Sequence, residues 1–248
     1  LEHLLIQNLT GFYNVGQHNN LLLEGADWND TYDMARKHGE SVCFYSFYAS
    51  NLKRLAVLLT FAFDKGIKQI TLLEELLILL DRLPDQQKVN YKSPQNKKER
   101  LETYFNRIEH NISGRKMTVD TEQLVSDLKQ KYEHIKQHIN QNEWIKTNRG
   151  YKFYNGHYNN ISERVHGELN LGVRIDLTSQ VIPLISEISS KEQTEEIWKS
   201  VKGLLHDKSK GGLRLTTDYK ELDLNLGRIT GFIYGSREHG SKWSQQNI

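Results

Sequence analysis

The 248-residue chain is poor in residues that staple or break a fold, with one Cys, three Pro and two Met. The single Cys43 excludes a disulfide framework and a Cys-rich zinc site. Three Pro and 17 Gly without a fixed period exclude collagen-like and low-complexity classes. No run approaches the ~18 apolar residues that cross a bilayer, so no membrane partner is expected. Leu1–Thr10 lacks a basic start, a cleavage site and a Met, and so does not resemble a signal peptide. A net charge of only +2, thinly spread, argues against both disorder and a nucleic-acid partner. A lone Cys fits a reducing, cytoplasmic setting, and Cys43 lies in an apolar stretch, which reads as a buried thiol.

What is present is helical in character. Residues 67–149 hold one Gly, Gly114, whereas residues 150–248 hold 11. The first stretch reads as helices and the second as loops and turns. Helices are expected over 2–14, over Glu40 to Phe63, and over Leu72–Leu80 behind a Thr71/Glu74 capping box. A short helix is expected over Glu99–Glu109, after a polar loop at 85–98. Asp120 with Gln123 opens a longer one, whose Leu124, Leu128, Tyr132, Ile135 and Ile139 share one face. Tyr151–Tyr158 and Gly172–Ile175 read as short extended segments. Thr178 opens a helix to about Ser189 with Pro183 inside, and Ser190/Gln193 opens the last one, ending near His206. The helix from Glu40 is apolar on nearly every side and is expected to be covered on most faces. Residues 82–149 carry 14 Lys/Arg against nine Asp/Glu, which reads as a solvated outer helix face. The sum is an all-α array rather than a parallel sheet. Both termini read as interrupted elements, so part of a longer chain is expected.

Two segments carry candidate chemistry. Asp27-Trp28-Asn29-Asp30 places two carboxylates beside an indole, on which a sugar ring can stack; Asp and Asn in turns explain the same residues without chemistry. Arg237-Glu238-His239-Gly240 offers cations to an oxyanion, or is an ordinary charged loop. Gly235–Lys242 approaches a phosphate-binding loop, but Ser241 stands where Lys must be. His134 and His138 have zinc-ligand spacing but lack the intervening Glu, and read as surface histidines. No metal is expected.

At Gly25-Ala-Asp-Trp-Asn-Asp30 followed by Gly39-Glu-Ser-Val42, the sequence resembles the inverting glycoside phosphorylases related to cellobiose, chitobiose and laminaribiose phosphorylases (glycoside hydrolase family 94). A second block, Val173-Arg-Ile-Asp176 with Gln180, is similar to that family's R-I-D…Q run. A third, Tyr234-Gly235 through Arg237, Glu238 and Gly240, is similar to its Y-G-x-x-E-N-G segment. The 71–120 stretch does not match compact members and looks like a helical insertion, as in a diverged or β-1,3-glucan phosphorylase branch. The resemblance implies that residues 1–248 are about half of an (α/α)₆-barrel catalytic domain, inactive alone and completed by the remainder of a longer chain. Relatives are often homodimers, which implies the same here.

The implied reaction is reversible phosphorolysis of a β-linked gluco-oligosaccharide to α-glucose 1-phosphate with inversion. Inorganic phosphate is the co-substrate and no cofactor is needed. By motif position Asp30 is the general acid, and Asp27, Trp28, Arg174, Gln180 and Glu238 contact the sugar. Arg237, His239 and Gln245 fall to phosphate, Gln245 standing where the family has His. Two readings stay beside this one. An inverting hydrolase on the same barrel would need a base about 6.5–9.5 Å from the acid, and Glu238 is its candidate. A carbohydrate-binding or assembly module that lost the phosphate site is the other, kept open by Gln245.

Overall fold

A computed structural model describes residues 1–23, 32, 38–84, 86–209 and 211–242. Six α-helices follow one another among them: α1 (Glu2–Tyr13), α2 (Val42–Asp64), α3 (Pro94–Ile108), α4 (Thr121–Asn142), α5 (Thr178–Ile185) and α6 (Lys191–Leu204). Between them lie antiparallel strands of two to five residues; Lys152–Tyr154, His157–Tyr158 and Gly172–Arg174 fall in the two expected extended segments, and the others are unexpected. No described helix is long and apolar enough to cross a membrane. The chain forms two compact units: Leu1–Asn19 with Tyr48–Gln137, and Asn20–Phe47 with His138–Ile248.

Local chemistry sets the helix starts. Asp120 Oδ1 accepts from the backbone N–H of Glu122 (2.9 Å) and Gln123 (3.1 Å), capping α4 as its sequence predicts. The Ser190/Gln193 box of α6 is fully formed. In α3, Ser93 Oγ accepts from Asn96 N–H at 3.2 Å and Pro94 opens the helix, so α3 starts five residues before the predicted Glu99. Ser-Pro was the overlooked signal. α5 stops at Ile185, soon after Pro183, and Glu187 turns the chain with φ 57°.

In the first unit, Leu5, Leu9 and Phe12 of α1, Leu52 and Ala56 of α2, and Leu124, Leu128 and Ile135 of α4 are buried. Gly11 lets α1 meet α2, because a Cβ there would come within 2.3 Å of the Tyr48 ring. The Thr71/Glu74 capping box does not form. Gln69–Leu73 is a strand paired with Lys116–Asp120, Thr71 facing Thr118, and Glu74–Leu79 is a 3₁₀ helix. β-branched Ile70 and Thr71 suit a strand once Thr118 and Val119 supply the ladder. α2 meets the expectation in its first half, where Val42, Cys43, Tyr45, Ser46, Ala49 and Ser50 are buried, and departs from it in its second, where Val57, Leu58 and Phe61 are 57–60% exposed.

The basic segment is not simply a solvated face. Lys131 is fully buried and bridges Asp127 Oδ2 (2.6 Å) and Asp81 Oδ1 (2.8 Å). Asp81 also accepts from the hydroxyls of Tyr13 (2.8 Å) and Tyr91 (2.6 Å) and from Val89 N–H (2.9 Å). Burial acts to raise the Asp81 carboxyl, but Lys131 and these hydrogen bonds outweigh it and hold it at about 2. Lys97 is equally buried, donates to Asn19 Oδ1 at 2.9 Å and lies 4.4 Å over the Phe12 ring. Burial, then Lys131, pushes its amine well down. Charges enter a core when partners replace their water, which composition alone does not reveal. His134 is half-buried, 3.4 Å from Lys97 Nζ, rather than a surface residue.

In the second unit, Leu21–Leu22, Glu40–Ser41 and His157–Tyr158 form a three-stranded antiparallel sheet. Trp144–Lys146 pairs with Lys152–Tyr154, and Gly167–Leu169 with Gly172–Arg174. The buried Glu143 carboxylate ties three segments together by accepting from Asn20 (2.8 Å), Asn155 (3.1 Å) and Tyr158 (3.1 Å). Tyr32, Val165, Tyr219, Leu226 and Ile229 form one buried apolar cluster. Cys43 is fully buried, as expected.

Candidate functional site

The second sequence block is held by its own hairpin. Pairing of Gly172–Arg174 with Gly167–Leu169 delivers Asp176 to the start of α5. There Asp176 Oδ1 accepts from Ser179 N–H (2.6 Å) and Oδ2 from Ser179 Oγ (2.7 Å). His166 Nε2 lies 3.0 Å from the same Oδ2, and His157 Nδ1 3.8 Å from it. All three side chains are buried. Burial acts to raise the Asp176 carboxyl; the contact with His166 and the hydrogen bonds outweigh it and hold it below the usual carboxylate range. Burial pushes the His166 imidazole down, favouring its neutral form.

Ligand atoms of His157, His166 and Asp176 lie within 4.8 Å of one another, close enough to hold a metal ion. The hydrogen bonds oppose that use. Gly156 N–H donates to His166 Nδ1 at 2.9 Å, so in the neutral ring Nε2 carries the hydrogen and gives it to Asp176. A metal would need the Nε2 lone pair, with the hydrogen on Nδ1, where a backbone donor already points. The cluster is therefore a proton-ordered hydrogen-bond network.

Tyr219 extends this network. Its hydroxyl bonds that of Tyr32 and lies 3.4 Å from His166 Nε2. Its backbone N–H donates to His239 Nε2 at 3.2 Å. His239 Nδ1 lies 2.7 Å from the Phe232 carbonyl and must carry the hydrogen to bond there. Both His239 nitrogens are thus used inside its own surroundings, the ring lying 5.4 Å from Tyr219 and from Tyr234.

Arg214 holds the third block. Its Nη1 donates to the Gly240 carbonyl and its Nη2 to Asp207, both at 2.8 Å, while the guanidinium lies 5.2 Å over the Tyr234 ring. Leu215 N–H adds a bond to the Ser241 carbonyl at 2.9 Å. Gly240 sits at φ 75°, where a Cβ would come within 2.1 Å of Tyr234, so only Gly closes this turn.

The expected site residues divide as follows. Asp27, Trp28, Asp30 and Gln245 lie outside the described residues, and so does the separation of Asp30 from Glu238. Arg174 is buried, bonds Glu221 at 2.8 Å, and lies 3.9 Å from Asp223 and 5.0 Å over the Tyr219 ring. Gln180 is buried and brackets Tyr154, accepting from its N–H (2.9 Å) and donating to its carbonyl (3.0 Å). Arg237 is exposed at φ 46°, 5.3 Å over the Phe232 ring. Glu238 is half-buried, and its Oε2 has no hydrogen-bond partner among the described residues. Arg174 and His239 meet at Tyr219. Sequence reasoning missed Tyr219, His166 and Arg214, which belong to none of the three blocks.

Comparison with known proteins follows the same blocks. The family model for the Glycosyl hydrolase 94 superfamily, catalytic domain, matches residues 81–248. The match starts inside the 71–120 stretch and includes the second and third blocks. Solabiose phosphorylase of Paenibacillus borealis is similar, 29% identical over 109 residues. That alignment covers 44% of this chain and 13% of the relative, so the matched part is a small share of that protein's length.

Proposed function

The chain belongs to the glycosyl hydrolase 94 superfamily, within its catalytic domain, and from that premise we propose that it is part of a glycoside phosphorylase. The match over residues 81–248 is the observation that carries this reading. The phosphorylase name of the similar relative supports it. The family's catalytic domain is an (α/α)₆ barrel, and we read the helices here as part of one.

The reaction we assign is phosphorolysis of a β-glucosidic bond in an oligosaccharide. A phosphate oxygen attacks the anomeric carbon as the bond to the leaving sugar breaks. Asp30 gives its proton to the leaving oxygen, and α-glucose 1-phosphate forms with inversion. Phosphate is already an anionic nucleophile, so one carboxylic acid suffices where an inverting hydrolase needs two. Trp28 and Asp27 would line the sugar site. Glu238 Oε2, which has no hydrogen-bond partner among the described residues, suits a sugar hydroxyl, since a carboxylate oxygen left without a donor is costly. Arg237 is exposed and can meet phosphate. His239 and Gln180 serve the site by holding backbone in place, since their polar atoms are engaged within the fold.

The test is to incubate the full-length protein with β-glucan oligosaccharides, with and without phosphate, and to assay glucose 1-phosphate. Phosphate-dependent product that disappears in Asp30→Asn is expected. Sugar release indifferent to phosphate would make the protein a hydrolase, and binding without turnover would make it a module.

A further inference from the structure

The turn that carries Glu238 is clasped on both sides of that residue, and Arg214 is the clasp. Its Nη1 donates at 2.8 Å to the carbonyl of Gly240, two residues after Glu238. Its guanidinium lies 5.2 Å over the ring of Tyr234, four residues before. Within the turn, Gly235 N–H donates to the His239 carbonyl at 2.8 Å, and His239 N–H to the Ser236 carbonyl at 3.1 Å. Glu238 Oε2 finds no partner among the described residues, so among them its placement adds no hydrogen bond to the fold.

Arg214 is itself held. Asp207 Oδ2 accepts from its Nη2 at 2.8 Å, while Asp207 Oδ1 accepts from Ser209 N–H (3.0 Å) and Ser209 Oγ (2.7 Å). The two residues face each other across the short hairpin after α6, where Asp207 N–H donates to the Gly212 carbonyl (3.0 Å) and Arg214 N–H to the Leu205 carbonyl (2.9 Å). A planar guanidinium can bond two acceptors in different directions and stack on a ring at the same time, whereas a lysine ammonium cannot. Asp207 thus fixes the fork, and the fork fixes where Tyr234 and Gly240 lie.

We propose that Arg214, oriented by Asp207, is a positioning residue that sets the Glu238 carboxylate against the sugar. It acts through the turn and not by contact with the sugar. The proposal rests on reading Glu238 as a sugar contact. Misplacement by about 1 Å can cost ~100-fold in rate. Arg214→Lys keeps the charge but loses the fork, and is expected to cost less, about tenfold.

The experiment uses the full-length protein with β-glucan oligosaccharides and phosphate. Arg214→Lys should lower kcat/KM for the sugar about tenfold and leave the KM for phosphate within about twofold. Asp207→Asn should act in the same direction, about threefold, and replaces Arg214→Lys should that variant not fold. With Glu238→Ala already in place, Arg214→Lys should cost less than twofold, because no carboxylate is left to position. A tenfold loss in that background, or an unchanged kcat/KM in both single variants, would overturn the proposal. If the wild type shows no phosphate-dependent turnover, the functional reading fails separately. Amide exchange then decides the positioning claim, as it does if Glu238→Ala is too slow to assay. Arg214→Lys should speed exchange in peptides covering 233–241 about tenfold over Ser190→Ala, and equal exchange in the two would sink it.

Discussion

The backbone N–H of Gly156 donates to Nδ1 of His166 at 2.9 Å, from the residue preceding His157. That bond assigns the imidazole hydrogen to Nε2 and so directs it at Asp176. It also explains why residue 156 is Gly. A Cβ there would lie 1.7 Å from Ser179 Oγ and 2.4 Å from its Cβ, atoms already committed to Asp176. Gly156→Ala should therefore destabilise the protein by about 3 kcal/mol, in the range for overpacking a tight core. Urea denaturation measures it, and a loss below about 0.5 kcal/mol would contradict the packing described.

Acid should weaken this site through His166. Burial lowers its pKa in the fold, so between the folded value and the unfolded ~6.5 the unfolded chain binds more protons. Its contribution to stability is thus present above about pH 6.5 and is lost as pH falls below it. Unfolding midpoints between pH 5 and 7 should rise with pH, more steeply in the wild type than in His166→Asn. Equal slopes would count against a buried neutral His166. Nitrogen NMR of the same ring should find the hydrogen on Nε2.

Lys131 tests the other buried network. It lies between Asp81 and Asp127, all three fully buried. Lys131→Met leaves two carboxylates facing each other without their cation. The expected loss is about 3–5 kcal/mol, as for breaking a buried ion pair from one side. An unfolding free energy within about 1 kcal/mol of wild type would show that water or relaxation replaces the ammonium.

Ser190→Ala removes the side-chain half of the α6 capping box, where Gln193 N–H donates to Ser190 Oγ at 3.2 Å. Stability should fall by about 1 kcal/mol. Glu195, farther along the same helix, is exposed and is not involved in the cap, so Glu195→Gln provides the neutral comparison in the same melt.

The readable parts of this molecule were local ones. Asp120 and Ser190 cap helices through bonds to residues two or three positions away, so their sequence is enough. Thr71 and Glu74 have cap spacing too, but a distant partner, Lys116–Asp120, claims the segment as a strand. Lys97 and Lys131 look like solvated charges until Asn19, Asp81 and Asp127 arrive from elsewhere in the chain. Tyr219 is the same case at the candidate site. Its partners at 32, 166 and 239 are too far apart in sequence for any spacing rule to join them.

Arg214 gives the Glu238 turn an unequal tolerance to change. The Gly240 carbonyl, the Tyr234 ring and the Ser241 carbonyl are gripped from outside the turn, whereas Ser236 and Arg237 between them are exposed. Replacement at 236, and at 237 by residues that tolerate its φ of 46° such as Asn or Gly, should leave the folded state intact, while replacement at 214, 234 or 240 should collapse the turn. Variation aimed at what the protein recognises can therefore be concentrated on two adjacent tip positions, with the frame left as it is.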